Sequence, residues 1–368
     1  MNILIHAPTS KEGGGKYIIE NVFKNIAYEI STNFFAIIPS KLIKIIPDTH
    51  VNIIKIPSVY EKWWSAPIYY NLILKRIIKK YKIDCIWNFG DVIVPCFYNQ
   101  LYYFDWAFLV YDESYLWKNV SSKIRFKRKI KIRQIEKNIK EIRYCIVQTD
   151  NMFVRLSDKY KVNNIIKIPT PVLLPEYNFR IQLKLLLESS GIKFLFISTF
   201  ASHKNHFILL KLASLIKNQN LSYKIFLTLD SNDAASFLDE IKLGGLSDVI
   251  INLGVLERGE VASAIKQCDY LIIPSLLESY GIVFYEGMKF EKLILTSDMD
   301  FARDACGESA LYFDPFVEDS IMDKMKEAVN LPEAVKKYML VQGLKRLKSI
   351  PDWPQFINEF INITQIND

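Results

Sequence analysis

The run Cys268-Asp269-Tyr270-Leu271-Ile272-Ile273 is apolar and too short for a helix, and the residues Phe284 to Phe290 beyond it read as a helix. Strand, loop and helix in that order are the repeating unit of a buried parallel sheet. They put the loop Pro274-Ser275-Leu276-Leu277-Glu278-Ser279-Tyr280-Gly281 at the carboxyl end of the strand. Unpaired amides at the helix start, with Gly281 allowing close approach, suit Ser279, Tyr280 and Gly281 to hold a phosphate. The spacing puts Glu278 in the loop and Glu286 two turns into the helix, so the two cannot form an acid pair on one helical face. Carboxylates beside an anion site are acceptors for sugar and ribose hydroxyls, which points to a nucleotide sugar.

The same alternation runs through the chain. Ile3-Leu4-Ile5 is a first strand, and Gly13-Gly14-Gly15 stands before an apolar-periodic helix, Ile18 to Ile30. Consecutive glycines there serve equally as a plain turn or as a close approach to an anion. A Walker loop would need Gly at Ser10 and Ser or Thr at Tyr17, and is excluded. Short strands follow at Phe34 to Pro39, Val51 to Pro57 and Cys85 to Trp87, with a helix from Ile68 to Tyr81. Of the adjacent Trp63 and Trp64, at least one is expected in the core, since neighbours face different ways. Pro169-Thr170-Pro171 through Pro175 reads as a linker. Strand and helix then alternate again from Lys193 onward, with strands at Tyr223 to Leu229, Val249 to Gly254 and Leu293 to Thr296.

Together the fragment Pro-Ser-x-x-Glu-Ser-Tyr-Gly, from Pro274 to Gly281, and Glu286-Gly287-Met288 resemble the Glu-x7-Glu motif of retaining glycosyltransferases built from two Rossmann domains. The resemblance implies an α/β chain of GT-B architecture, with two Rossmann-like domains facing a central cleft. It divides the chain into an acceptor-side domain, 1–172, onto which a last helix at about 350–368 packs back, and a donor domain, 173–349. The reaction it implies is transfer of a sugar from a nucleotide-diphosphate sugar, with retention, to a saccharide or lipid-linked saccharide of cell-surface polysaccharide synthesis.

The resemblance assigns donor binding to Gly13, Gly14, Lys204, Leu256, Glu278, Ser279, Tyr280, Gly281 and Glu286, and catalysis to Glu278, Lys204 and Asp105. Lys204-Asn205 matches the cationic turn that grips the diphosphate, although Thr199 stands where the family carries an Arg. Leu101 to Leu109 matches a strand ending in His-Asp, but Phe104 occupies the His position before Asp105. Three accounts fit that departure: Asp105 handles the proton, the leaving phosphate accepts it, or activity is weak or lost. In the last case the chain is a non-catalytic nucleotide-sugar or carbohydrate-binding homologue, partner to an active transferase.

No cofactor and no catalytic metal are expected. His203 with His206 lacks further ligands at metal spacing. At 368 residues, 50% hydrophobic and 24% charged, the chain has core material for two domains and is not disordered. No apolar run approaches 18 residues, and Met1-Asn2-Ile3 begins a strand rather than a leader, so a cytoplasmic location is expected. Its five cysteines show no Cys-x-x-Cys spacing and read as reduced thiols.

The net charge of +7 is concentrated, because Lys118 to Arg143 holds eleven Lys or Arg against two Glu. That segment reads as one helix with Ile132, Ile135, Ile139 and Ile142 inward. With no nucleic-acid reader motif beside it, nucleic acid is not the expected partner, and the cations suit an anionic membrane surface at the inner leaflet.

Overall fold

The computed structural model describes residues 1–11, 13–26, 32–43, 50–118, 120–173 and 184–366. It divides into two compact units, one of residues 1–112, 121–171 and 351–368, the other of 113–120 and 172–350. Placing 113–120 with the second unit departs from the sequence-based division. The cause is Tyr115, whose ring packs edge-on to Phe316 and whose hydroxyl reaches Met299 Sδ.

The first unit is a seven-stranded sheet of β1 (Asn2–His6), β2 (Asn33–Ile37), β3 (Asn52–Ile53), β4 (Cys85–Asn88), β5 (Gln100–Tyr103), β6 (Tyr144–Val147) and β7 (Ile165–Lys167), in the order β3-β2-β1-β4-β5-β6-β7. Every pairing is parallel. Strand order reverses between β1 and β4, and a buried polar cluster sits there. His6 Nδ1 is 3.0 Å from Asn88 Oδ1, and His6 Nε2 is 3.0 Å from the Tyr69 hydroxyl. Burial pulls the imidazole down to about 4, with Asn88 opposing, so His6 is neutral at physiological pH.

The second unit is a six-stranded parallel sheet of β8 (Ile192–Phe196), β9 (Tyr223–Leu227), β10 (Ile250–Asn252), β11 (Tyr270–Ile273), β12 (Leu293–Ser297) and β13 (Ala310–Phe313), in the order β10-β9-β8-β11-β12-β13. Its switch point lies between β8 and β11. Both strands are apolar on both faces because helices cover both, and Phe194, Leu195, Leu271 and Ile272 are fully buried.

Several elements differ from the reading of the sequence. The three glycines do not precede the first helix but open it, as Gly13–Ile26, and residues 27–31 lie outside the described ones. The expected strand at 51–57 shrinks to β3. The helix expected from Ile68 is regular only over Leu74–Tyr81, after a wider turn at Tyr69–Ile73. Trp64 is exposed, whereas the side chain of Trp63 lies outside the described residues, as do linker residues 174–183. Cys96 is exposed and the other four cysteines are buried.

The basic helix is shorter than expected. It runs Ser122–Asn138, capped by the Ser121 side chain, and tightens into a 3-10 turn at Ile139–Glu141. Ile135, Ile139 and Ile142 are buried, but Ile132 only partly. Lys118 falls in the second unit, and Arg143 leaves the helix to become a buried cation. Its guanidinium donates to the carbonyls of Thr364 and Ile366 in the last helix, Trp353–Gln365, and at its end. That helix also meets β4, where Trp87 Nε1 donates to Thr364 Oγ1 at 2.9 Å. Among the described residues no helix is long and apolar enough to cross a membrane.

The helix that follows β11 is Ile282–Lys289, so Glu286 lies just over one turn inside it rather than two. It sits tight on the sheet at Gly287, where an added Cβ would stand 2.5 Å from Leu271 Cδ1 and 3.2 Å from Ile294 Cδ1. Gly287→Val should therefore overpack the second unit and cost about 3 kcal/mol, read as a lower midpoint in urea.

Candidate functional site

In the second unit the expected donor residues gather at the carboxyl ends of the strands, around the switch point. β8 leads into the turn Ser202–Lys204 and β11 into the loop carrying Glu278. The two turns are tied by Leu276 N, which donates to His203 O at 2.7 Å. That bond sets Lys204 against Glu278, and Lys204 Nζ lies 2.5 Å from Glu278 Oε1 with both side chains largely buried. Asn205 takes the left-handed conformation after Lys204 and anchors the turn through its side-chain amide to Pro315 O, 2.8 Å away. Burial works against the Glu278 carboxylate, but the Lys204 charge, with His203 adding, outweighs it and holds the carboxyl below its usual value.

Gly281 caps the following helix at φ +68, and a side chain there would also meet the Phe284 ring at 2.5 Å. Tyr280 stacks on Tyr285 with ring centroids 4.5 Å apart. Ser279, Tyr280 and Gly281 are all half-buried at the helix start, where backbone amides point outward. Glu286 sits deeper, with its side chain 2% exposed, and pairs with Arg258 Nη1 at 2.6 Å. Here burial wins over Arg258 and the carboxyl is raised. Leu256, beyond β10, is partly buried against the core, while its neighbour Val255 is exposed. His206 is committed to structure, with Nε2 on the Ser198 hydroxyl and its ring among Phe196, Phe200 and Phe237.

The remaining expected residues, Gly13, Gly14 and Asp105, lie in the first unit beyond β1 and β5. An added Cβ at Gly13 or Gly14 would meet nothing within 4 Å, so both faces are open. Although Asp105 keeps contact with solvent, burial of its carboxyl pushes it up to about 6, with Lys131 opposing and Asp91 adding. Phe104 is fully buried against Tyr102, so the position before Asp105 faces the core. Arg258 was given no role from the sequence. Its signal is a basic residue opening the helix after the Gly254 loop, which becomes meaningful only once Glu286 is seen to pair with it.

Residues 180–339 match the model of the glycosyl transferases group 1 family. The matched segment contains Lys204, Leu256, Arg258, Glu278 and Glu286. The chain is 26% identical over 149 residues to the O-antigen chain mannosyltransferase RfbU of Salmonella typhimurium, a match covering 39% of this chain and 40% of that protein. Solved structures match over nearly the whole length. Sucrose-phosphate synthase from Thermosynechococcus elongatus superposes with a TM-score of 0.76 at 14% identity, over 99% of this chain and 98% of that one. WaaG, a glycosyltransferase involved in lipopolysaccharide biosynthesis, gives 0.72 at 13% identity over 100% of both chains. Anabaena Alr3699/HepE, solved with UDP and glucose, gives 0.71 at 12% identity over 98% and 99%. These likenesses show that the fold is GT-B.

The Lys204–Glu278 pair has a pH signature. Because the folded Glu278 carboxyl lies below its unfolded value of 4.5, its stabilising effect is fully present above that pH and fades as pH falls through the folded value. Glu278→Gln should cost about 2 kcal/mol at pH 7. In urea titrations from pH 3 to 8, the gap to wild type should stay flat above 4.5 and close below it.

Proposed function

We propose that this chain transfers a sugar from a nucleotide-diphosphate sugar to a saccharide or lipid-linked saccharide, with retention and without a catalytic metal. The observation that carries the proposal is the Lys204–Glu278 pair at the β8/β11 switch point, beside a glycine-capped helix start, inside the segment that matches the glycosyl transferases group 1 family. A relative named for O-antigen mannosyl transfer and neighbours solved with UDP, glucose or UDP-glucose favour this substrate class.

In this reading the Lys204 ammonium and the amides at the start of the Ile282–Lys289 helix receive the diphosphate, with Gly13 and Gly14 offering open backbone to it. Leu256 walls the base. Glu286 accepts from ribose hydroxyls, and Glu278 accepts from the donor sugar while Lys204 turns toward the leaving phosphate. The acceptor oxygen bonds to the anomeric carbon as the bond to the diphosphate oxygen breaks. The acceptor's proton goes to the leaving phosphate or to Asp105, which is ionised above about pH 6 and so able to take it.

Transfer from a panel of UDP-, GDP- and ADP-sugars tests the proposal. Glu278→Ala and Lys204→Ala should each lose about a hundredfold in turnover, because charge develops on the diphosphate in the transition state. Rate loss should exceed any change in thermal midpoint. If Asp105 takes the proton, the wild-type rate falls below pH 6 and Asp105→Asn abolishes that acidic limb. An unchanged limb assigns the proton to the phosphate. A wild-type chain that binds these donors but neither transfers nor hydrolyses them would instead be the non-catalytic partner, the reading that Phe104 and Thr199 favour.

The same proposal includes a cytoplasmic location with reversible attachment to the inner membrane surface. Along the Ser122–Asn138 helix, Phe126 and Ile130 are one turn apart and 60% and 44% exposed, flanked by exposed Lys123, Lys129, Arg133 and Lys137. Arg128 and Lys131 are engaged on the other side, over the Phe108 and Trp106 rings. A basic face with an apolar centre suits anionic lipid, at about 1 kcal/mol per cation near the surface. Co-sedimentation should require anionic vesicles, weaken with salt and fall sharply when Lys123, Lys129 and Arg133 are changed together to Gln.

A further inference from the structure

The buried carboxylate of Glu286 has an unusual companion. Arg258 opens the helix Arg258–Gln267, and its guanidinium reaches Glu286 Oε1 through Nη1 at 2.6 Å and donates from Nη2 to Leu173 O at 2.9 Å. Glu286 is almost sealed, whereas 38% of the Arg258 side chain remains exposed. The backbone carbonyl of Leu173 also holds the guanidinium, so it is fixed as a planar fork rather than a loose surface charge. A carboxylate offers about four lone-pair positions, and this contact leaves Glu286 acceptor capacity for hydroxyls.

We propose that Arg258 is a positioning residue that keeps Glu286 ionised and oriented as the acceptor for the ribose hydroxyls of the donor nucleotide. The inference rests on the donor role given above to Glu286. A sealed carboxyl with no cation takes up a proton, and the neutral acid then turns its O–H to whatever acceptor is nearest and receives a hydroxyl poorly. Burial already raises the Glu286 carboxyl against the pull of Arg258. Around the Ile282–Lys289 helix, Glu260 bonds the Glu257 amide, Arg303 pairs with Asp298, and Arg346 donates to the carbonyls of Asp304 and Ala305. The neighbouring strand β12 brings no titratable side chain. Among the described residues, Arg258 is the cation that draws the Glu286 carboxyl down against burial.

The experiment measures nucleotide affinity by calorimetry between pH 6 and 8.5, using whichever of UDP, GDP and ADP binds the wild type best. Ratios to wild type at each pH remove the titration of the nucleotide itself. Arg258→Met should bind about tenfold more weakly than wild type at pH 6 and recover most of that loss by pH 8.5, as the raised Glu286 carboxyl deprotonates. Arg258→Lys, which keeps a cation, should give a ratio flat with pH, and circular dichroism should find both variants folded. An Arg258→Met ratio that does not change with pH, whether near one or uniformly low, would overturn the role of Arg258. Glu286→Gln separates that failure from a failure of the donor reading. It should bind weakly at every pH, and binding equal to wild type, or a wild type that binds none of the three nucleotides, would remove the ribose role of Glu286 and the inference with it.

Discussion

A parallel strand cannot return to its neighbour by a tight turn, so every strand in both sheets must leave through a covering element and re-enter at the opposite end. The constraint buries the sheets on both faces and collects all outgoing loops along one edge. Where the strand order reverses, successive connections depart to opposite faces and leave a crevice. Lys204 and Glu278, 74 residues apart, meet only because β8 and β11 are neighbours at such a reversal. The backbone bond from Leu276 to His203 then turns adjacency into a fixed contact.

That edge holds two buried carboxylates with different electrostatic fates. Glu278 meets its cation in a turn stitched to its own loop, and the attraction outweighs burial. Glu286 is one helical turn deeper, its cation comes from another strand's exit, and burial dominates. A single helix start thus presents one carboxylate firmly charged and one poised nearer neutrality, without any difference in side-chain type.

Much of this was legible beforehand because short apolar runs separated by helical periodicity leave few alternatives to doubly wound sheets. The placement of Glu278 in a loop and Glu286 in a helix followed from the same pattern. What was not legible depends on contacts distant in sequence. Arg143 looked like one more cation on a basic helix, because nothing near it announces the carbonyls of Thr364 and Ile366. Arg258 had no role in the sequence pattern and gains one only because Glu286 lies beside it. The glycines at 13–15 read as a loop from composition, yet two of them adopt helical geometry with the chain that follows, and only Gly13 takes a positive φ. The segment 113–120 was assigned by position along the chain, and Tyr115 overrode it.

The route of residues 351–366 bears on how the chain is made. The first unit opens the sequence, yet its Arg143 and Trp87 find their hydrogen-bond acceptors in a helix that is translated more than two hundred residues later. Until that helix leaves the ribosome, the Trp87 indole lacks its acceptor, the Arg143 guanidinium has Asn99 but not the helix carbonyls, and the apolar face that Phe356 and Phe360 cover is bare. The second unit has all its strands within 192–313 and can close first. Synthesis and completion therefore run in opposite orders, and the nascent amino-terminal sheet is the part of this protein that most needs shelter while the chain is being made.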